Sequence, residues 1–367
     1  VITEVRVRYF KRFEDQTFHL NDSLLLAGPN NTGKTTLLQA IATWHFALEK
    51  WKLVREKKKS SAKRYTGTPI TRQEFLALPV RELNLLWYNT STAHKRSEGK
   101  TPGSPRPMSI TLKGHKANDG QPWEHTMEFR YSNAELVYTK PASGQEAPED
   151  LESVVYVPSF SGIETEEKVH TREYQDWLIG QGKPGDIIRN LLVDVCRNSE
   201  HWESLKQQLR ELFHYTLLKP EHAGRPYILS EYLPGLPEGR GRDGLPRLDI
   251  ANAGSGFLQV LLLLAFFYSR RSSVLLLDEP DAHQHVSLQG EIYNRLRELT
   301  RKQGCQLIIA THSEVLINCT DPENVLSFYG DPRILGKPHE RNQVREALKK
   351  ISTIDMVRSR GGQGSLC

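Results

Sequence analysis

Eight consecutive residues, Gly28-Pro29-Asn30-Asn31-Thr32-Gly33-Lys34-Thr35, spell G-x-x-x-x-G-K-T, and nothing else in this chain restricts its fold as sharply. The pattern has physical meaning between a strand and a helix. Both flanks supply that context: Leu24-Leu25-Leu26-Ala27 reads as a short buried strand, and Thr36 to Ala42 as the first turns of a helix. Free N–H groups of the loop and helix start would point at phosphate oxygens, and the helix dipole favours negative charge there. The residues expected to cradle a nucleotide are therefore Gly28, Pro29, Asn30, Asn31, Thr32, Gly33, Lys34, Thr35 and Thr36. Lys34 would reach the outer phosphates, and Thr35 would offer its hydroxyl to Mg²⁺. An ordinary glycine turn before a helix would not need the whole pattern.

Length and composition bound the rest. A chain of 367 residues, 25% charged and 38% hydrophobic, has the make-up of an ordinary globular protein. It is long enough for one large α/β domain with insertions, or for two domains. No stretch approaches the roughly 18 apolar residues that span a bilayer; Phe257 to Tyr268 is interrupted by Gln259 and reads as a buried helix. Near the N-terminus Arg6, Arg8, Lys11 and Arg12 interleave with apolar residues in strand fashion, unlike a signal peptide. Cys196, Cys305, Cys319 and Cys367 are scattered, suggesting neither a disulfide framework nor a zinc cluster. A reducing, cytoplasmic setting without membrane contact is expected. The formal charge is only +5, but the run from Lys50 to Arg64 holds Lys52, Arg55, Lys57, Lys58, Lys59 and Lys63. It could meet a nucleic-acid backbone, or be a solvated helix end. Both chain ends, Val1 and Gly364 to Cys367, read as trimmed.

Hydrophobic periodicity gives the organisation. Ile2, Val5, Val7 and Tyr9 alternate as in a half-buried strand, and a second strand, Gln16 to Leu20, is expected after a turn at Glu14-Asp15. Leu37, Leu38, Ile41, Phe46 and Leu48 form a buried helical stripe. Residues 91–107 and 139–150 carry loop signals, with Met108 to Leu112 and Glu124 to Tyr131 as strands of a small meander between them. Val154 to Val157 is a buried strand. Residues 165–222 read mostly as helix: Tyr174, Trp177, Leu178 and Ile179 form one cluster, followed by helical spacing in Ile187 to Val195 and Leu205 to Phe213. Residues 219–246 form a long connection, and a C-terminal helix is expected from Asn342 to Met356.

A second set of residues belongs with the phosphate loop. Val274 to Leu277 is an aliphatic run typical of a central parallel strand, and it ends in Asp278-Glu279. Carboxylates at that end lie where ligands gather in an open α/β sheet. Asp278 would hold Mg²⁺ and Glu279 would act as general base toward water; an acidic turn is the bland alternative. Leu307 to Ala310 is another such strand, ending in Thr311-His312-Ser313, so His312 can reach the terminal phosphate. Ser255 and Gly256 precede a strongly apolar helix and form a second anion-binding element. Two protomers docked face to face could share it, although Ser255 could equally be a simple N-cap. His283 and His285 form an H-x-H pair, which is too few ligands for a metal site by itself and fits an interface better.

Together these residues resemble the ABC-type ATPase head, most closely the SMC/RecF-like ATPases and the ATPase region of OLD-family (overcoming lysogenization defect) nucleases. The resemblance covers residues 1–50 and 248–330. Val5 to Glu14 leading into Gly28 to Thr35 resembles the family's first strands and phosphate loop, and His312 matches its switch histidine. Asp278-Glu279-Pro280-Asp281-Ala282-His283 resembles its acidic motif, with Asp281 to His283 in the loop that crosses the dimer interface. Ser255-Gly256 keeps only the core of the family's L-S-G-G-Q signature, Phe257 replacing its second glycine, and Ser159 stands where a lid-loop glutamine would follow the Val154 strand.

The resemblance implies an α/β P-loop NTPase of ABC-ATPase type: a mixed central sheet with flanking helices, a small β meander and an inserted helical arm. The implied parts are an ATPase lobe at 1–90, a β-rich insertion at 91–153 and a helical, dimerising insertion at 154–246. The second half of the lobe follows at 247–330 and a C-terminal helix and tail at 331–367. It also implies ATP and Mg²⁺ as cofactors, Lys34, Glu279 and His312 as catalytic residues, and a homodimer or higher homo-oligomer. The implied role is gating a nuclease or other nucleic-acid-targeting effector, in anti-phage defence. RecF-like DNA binding in repair, or an ATPase fragment ending before a Toprim nuclease domain, are the alternatives. No nuclease activity is expected of the chain itself, because the Toprim acidic motifs are absent.

Overall fold

The computed structural model describes residues 1–57, 67–75, 78, 80–94, 103–116, 120–142, 153–160, 162–180, 183–235, 246–270, 273–337, 339–344 and 346. The chain opens with β1 (Ile2–Phe10), β2 (Phe13–His19) and β3 (Ser23–Ala27), then α1 (Lys34–Lys57) and β4 (Thr68–Thr71). The meander β5 (Met108–His115), β6 (Pro122–Asn133) and β7 (Leu136–Pro141) follows, and then β8 (Val154–Val157). Helices α2 (Arg172–Gly180), α3 (Ile188–Val195) and α4 (Ser199–Phe213) precede a small sheet of β9 (Thr216–Leu217), β10 (Glu231–Leu233) and β11 (Leu248–Asp249). The remainder is α5 (Ser255–Ser269), β12 (Val274–Asp278), α6 (Val286–Gln303), β13 (Gln306–Thr311), α7 (Glu314–Asn318), β14 (Val325–Ser327) and β15 (Arg333–Ile334).

Two six-stranded sheets enclose α1. The first, in the order β2-β1-β5-β6-β7-β4, is antiparallel throughout. The second runs β15-β14-β3-β13-β12-β8 and is parallel apart from β15. Strand alternation splits the aliphatic runs of this second sheet between two cores. Leu24, Leu26, Val274, Leu276, Ile308 and Ala310 face α1 and the first sheet. Leu25, Leu275, Leu277, Leu307 and Ile309 face the opposite layer of α3 to α7. Both faces are covered, which is why these strands carry no polar alternation. Helix α5 is buried from Phe257 to Tyr268 and packs against α3 and α4. One buried side chain ties the sheets together: Gln306 accepts from the Ile2 N–H (2.9 Å) and donates to the Ile2 and Asn21 carbonyls (2.7 and 3.0 Å).

Several local expectations need correction. The first turn lies at Lys11-Arg12 rather than Glu14-Asp15, because Asp15 sits in β2 opposite Arg8 and bonds the Arg6 guanidinium at 2.8 Å across the strands. Tyr9, at φ 57°, breaks the alternation and returns Phe10 to the core. Strands β4 and β7 were hidden by loop-like composition, and Leu136–Pro141 overlaps the stretch read as a loop. Tyr174 and Trp177 do not join Leu178 in the core; they stack on each other at the surface, 5.3 Å apart. Most of the basic run, from Lys58 onward, and the expected C-terminal helix beyond 346 lie outside the described residues. No helix among the described residues is long and apolar enough to cross a membrane.

Candidate functional site

The phosphate loop joins the C-terminal end of β3 to α1, whose first-turn N–H groups lack intrahelical acceptors. Gly28 lets the chain pass Phe328: a Cβ there would lie 2.9 Å from the Phe328 Cβ. Gly33 has φ +114°, and a Cβ would meet the Phe13 ring at 2.5 Å and the Arg12 stem at 2.9 Å. The β1–β2 turn therefore walls the loop. Asn30 and Asn31 are exposed at its tip, with Asn31 at φ 60°. Inside, the buried Lys34 ammonium donates to the Gly28 and Pro29 carbonyls at 2.7 and 2.8 Å, and Thr32 Oγ1 donates to the Pro29 carbonyl at 2.8 Å. Burial lowers the Lys34 pKa, opposed by the carboxylates of Glu279, Asp278 and Asp281. Thr36, half-buried, follows in the first turn.

Strand β13 lies between β3 and β12, so the acidic pair is one strand removed from the loop. By alternation Asp278 shares the α1 face with Val274 and Leu276. Its Oδ1 accepts from Thr35 Oγ1 at 3.0 Å and its Oδ2 from the Tyr156 hydroxyl at 3.2 Å. Burial pushes the Asp278 carboxyl up to about 6; the Glu279 charge adds to this, while the Thr35 and Tyr156 hydrogen bonds and Lys34 oppose it. Tyr156 is pushed well above its usual value by burial and by Asp278, so its hydroxyl remains a donor.

At Glu279 the backbone turns to φ 51°, with its N–H on the Ala310 carbonyl at 2.8 Å. This carries its carboxylate to His312 Nδ1, 3.4 Å away. The hydrogen bond to His312 holds Glu279 below the usual carboxylate range and raises His312 above that of a free imidazole. The adjoining Thr35 and Asp278 oxygens are hard donors of the kind that Mg²⁺ takes alongside phosphate oxygens and water, so the residues present fit that ion.

Elements from residues 28–36, 278–279 and 312 thus converge on one sheet end. Asp281 is tied to the same group, its Oδ1 accepting from Thr311 Oγ1 at 2.7 Å. Ser255 and Gly256 stand apart from the phosphate loop: no hydrogen bond among the described residues joins them to 28–36. Gly256 is fastened instead to the 281–284 loop, its carbonyl accepting from Gln284 Nε2 at 2.8 Å. Ser255 is not the N-cap of α5; Gly254 holds that position, and no side chain caps it. His283 is exposed at φ 63°. His285 caps α6, its Nδ1 2.8 Å from Ser287 Oγ, which accounts for it without a metal.

Several contributors carry no local motif. Tyr156 is the one polar residue in its strand, a signal that was available. Lys11, pushed down to about 8 by burial, donates to Gln39 Oε1 at 2.6 Å, one helical turn beyond Thr35. Gln284, Gln289 and Thr311 form the scaffold behind the acidic loop, and no local pattern marks them.

Residues 203–318 match the family described as "AAA domain, putative AbiEii toxin, Type IV TA system". No curated protein matches the chain. Among solved structures, the chain is similar to an Smc head domain with a coiled coil and joint from Pyrococcus yayanosii, at TM-score 0.50 and 11% identity, covering 96% of this chain and 99% of that one. It is also similar to the Pyrococcus furiosus Smc head domain bound to the C-terminal domain of ScpA (TM-score 0.49, 12% identity, 96% and 99% covered). The SMC head domain from Thermotoga maritima gives TM-score 0.44 and 15% identity, with 89% and 94% covered. At such identities the likeness concerns fold alone: the chain shares the mixed α/β fold of the Pyrococcus yayanosii Smc head domain.

Proposed function

We propose that this chain is an ATPase that binds ATP with Mg²⁺, hydrolyses it slowly, and uses the bound state to join a second copy of itself and gate a nucleic-acid-targeting effector in anti-phage defence. The observation that carries the ATPase reading is the convergence of Lys34, Thr35, Asp278, Glu279 and His312, drawn from both ends of the chain, at one sheet end. In this reading Lys34 exchanges its two loop carbonyls for phosphate oxygens. Thr35 and Asp278 would hold Mg²⁺, whose charge neutralises the phosphates when bound. Glu279, kept ionised by His312, accepts the proton of the attacking water, and His312 orients Glu279 and the terminal phosphate.

Pairing with a second copy is supported by the exposed start of α5: Asn252, Gly254 and Ser255 lie at the surface, where a helix terminus can take an anion from outside the protomer. The family matched by residues 203–318, described as an AAA domain of a putative AbiEii toxin in a type IV toxin–antitoxin system, supports a defence setting; the cytoplasmic location belongs to the same proposal. Glu279→Gln keeps the shape and removes the base. Hydrolysis should fall by about 10²–10⁴-fold, while ATP should hold a larger species longer in size-exclusion chromatography. Elution profiles unchanged by ATP in both proteins would overturn the switch, and a wild type without ATPase activity would overturn the enzyme.

A further inference from the structure

The geometry points to Gln289 as a positioning residue that couples the His312 segment to the Gly256 helix start, a link that rests on the nucleotide reading above. Gln289 lies one turn into α6, and its amide is used on both sides. Oε1 accepts from Ser313 Oγ at 2.7 Å, and Nε2 donates to the carbonyls of Gln284 and Asp281 at 3.2 and 3.4 Å. Ser313 directly follows His312, and its N–H is held by Thr311 Oγ1 at 2.9 Å. Thr311 in turn donates to Asp281. Both neighbours of His312 therefore grip the 281–284 loop, Thr311 directly and Ser313 through Gln289.

The same loop grips α5. Gln284 Nε2 bonds the Gly256 carbonyl, and a Cβ on Gly256 would come within 3.1 Å of the His283 carbonyl. The loop thus packs closely on the helix start and is joined to it by the Gln284–Gly256 hydrogen bond. Asp281, Gln284, Thr311 and Ser313 are buried and Gln289 is half-buried, so the Thr311–Asp281 and Ser313–Thr311 bonds are shielded from water and those of Gln289 partly so. Gln284 Oε1 is buried with no partner among the described residues, so a small shift at this junction can gain a hydrogen bond.

The chemistry asks for a glutamine at 289. One acceptor and two donors are needed at a single side-chain end; Glu supplies no donor when ionised, and Lys or Arg supplies no acceptor. A displacement of His312 by a terminal phosphate is thereby passed to the surface where Ser255 and Gly256 are presented.

Hydrogen–deuterium exchange of the full chain, with and without Mg-ATP, tests this in wild type, Gln289→Glu and Ser313→Ala. In wild type, ATP should slow exchange in peptides covering 28–37 and 252–258 together. Gln289→Glu and Ser313→Ala should keep protection at 28–37 and ATP affinity within about twofold but lose protection at 252–258. Their kcat should fall on the order of tenfold with KM unchanged, a coupling-sized effect. Retained protection at 252–258 in Gln289→Glu overturns the coupling, as does wild-type protection confined to 28–37. Loss of protection at 28–37 in the variants overturns a positioning role, because the whole site has then been disturbed. A wild type unprotected at 28–37 overturns the nucleotide reading instead.

Discussion

His125 offers a quantitative test of how the first sheet is packed. It points from β6 into the core against Trp44, its ring 5.6 Å from the indole in an edge arrangement, and neither ring nitrogen has a hydrogen-bond partner among the described residues. Burial, with a smaller contribution from the Lys52 charge, pushes its pKa down from 6.5 to about 4. The native state therefore binds fewer protons than the unfolded chain between those values, and stability falls as pH falls through that window. The full shift corresponds to about 3.4 kcal/mol at 1.36 kcal/mol per unit, of which about 2 kcal/mol is already lost at pH 5. Other groups act in the opposite sense: burial raises Glu167 to about 8 and Asp278 to about 6, so both favour the native state as pH falls. Only a difference between proteins isolates the histidine. His125→Leu removes the titration and the orphaned ring nitrogens while keeping an apolar contact with Trp44. Urea unfolding followed by circular dichroism from pH 7.5 to 4.5 should show the variant gaining on wild type by about 2 kcal/mol by pH 5. Parallel curves would refute the buried neutral histidine, as would an NMR titration of His125 near 6.5.

Two further outcomes follow from contacts that join distant segments. Gln306→Ala leaves the Ile2 N–H and two carbonyls without their partner between the sheets, and should cost about 2–3 kcal/mol in urea unfolding; a loss within experimental error would show that the sheets are not tied there. The His312 imidazole should titrate above the usual 6.5 by NMR, and Glu279→Gln should move it down, since the hydrogen bond to Glu279 is the first cause of the rise. The His312 contribution is fully present below 6.5 and is lost as pH rises through its raised value, while acid low enough to protonate Glu279, below the usual carboxylate range, removes the pair from the other side.

The legibility of this chain divides along a physical line. Gly28 to Thr35, the aliphatic run into Asp278-Glu279 and the run into Thr311-His312 could be read because each signal is local: strand, turn and helix start are adjacent in sequence. Parallel strands covered on both faces leave uninterrupted Val, Leu and Ile runs, and Leu24 to Leu26, Leu275 to Leu277 and Leu307 to Ile309 are of that kind. Antiparallel strands near an edge leave weaker traces. Thr68–Thr71 contains a proline and pairs only with β7, so its composition resembles a turn. The Glu14-Asp15 misreading has a related origin: acidic residues favour turns in isolation, but Asp15 faces Arg6 and Arg8 across a strand pair whose register the sequence does not print. That error hides a functional consequence, because moving the turn to Lys11-Arg12 is what sets Arg12 and Phe13 against Gly33. The least legible layer is the amide and hydroxyl scaffold. Gln284, Gln289 and Thr311 are ordinary residues whose importance comes from closing hydrogen bonds over 24 to 30 positions, to Gly256, Ser313 and Asp281. A motif can therefore identify the groups proposed to hold a nucleotide, whereas the groups proposed to transmit its presence are defined only by the fold.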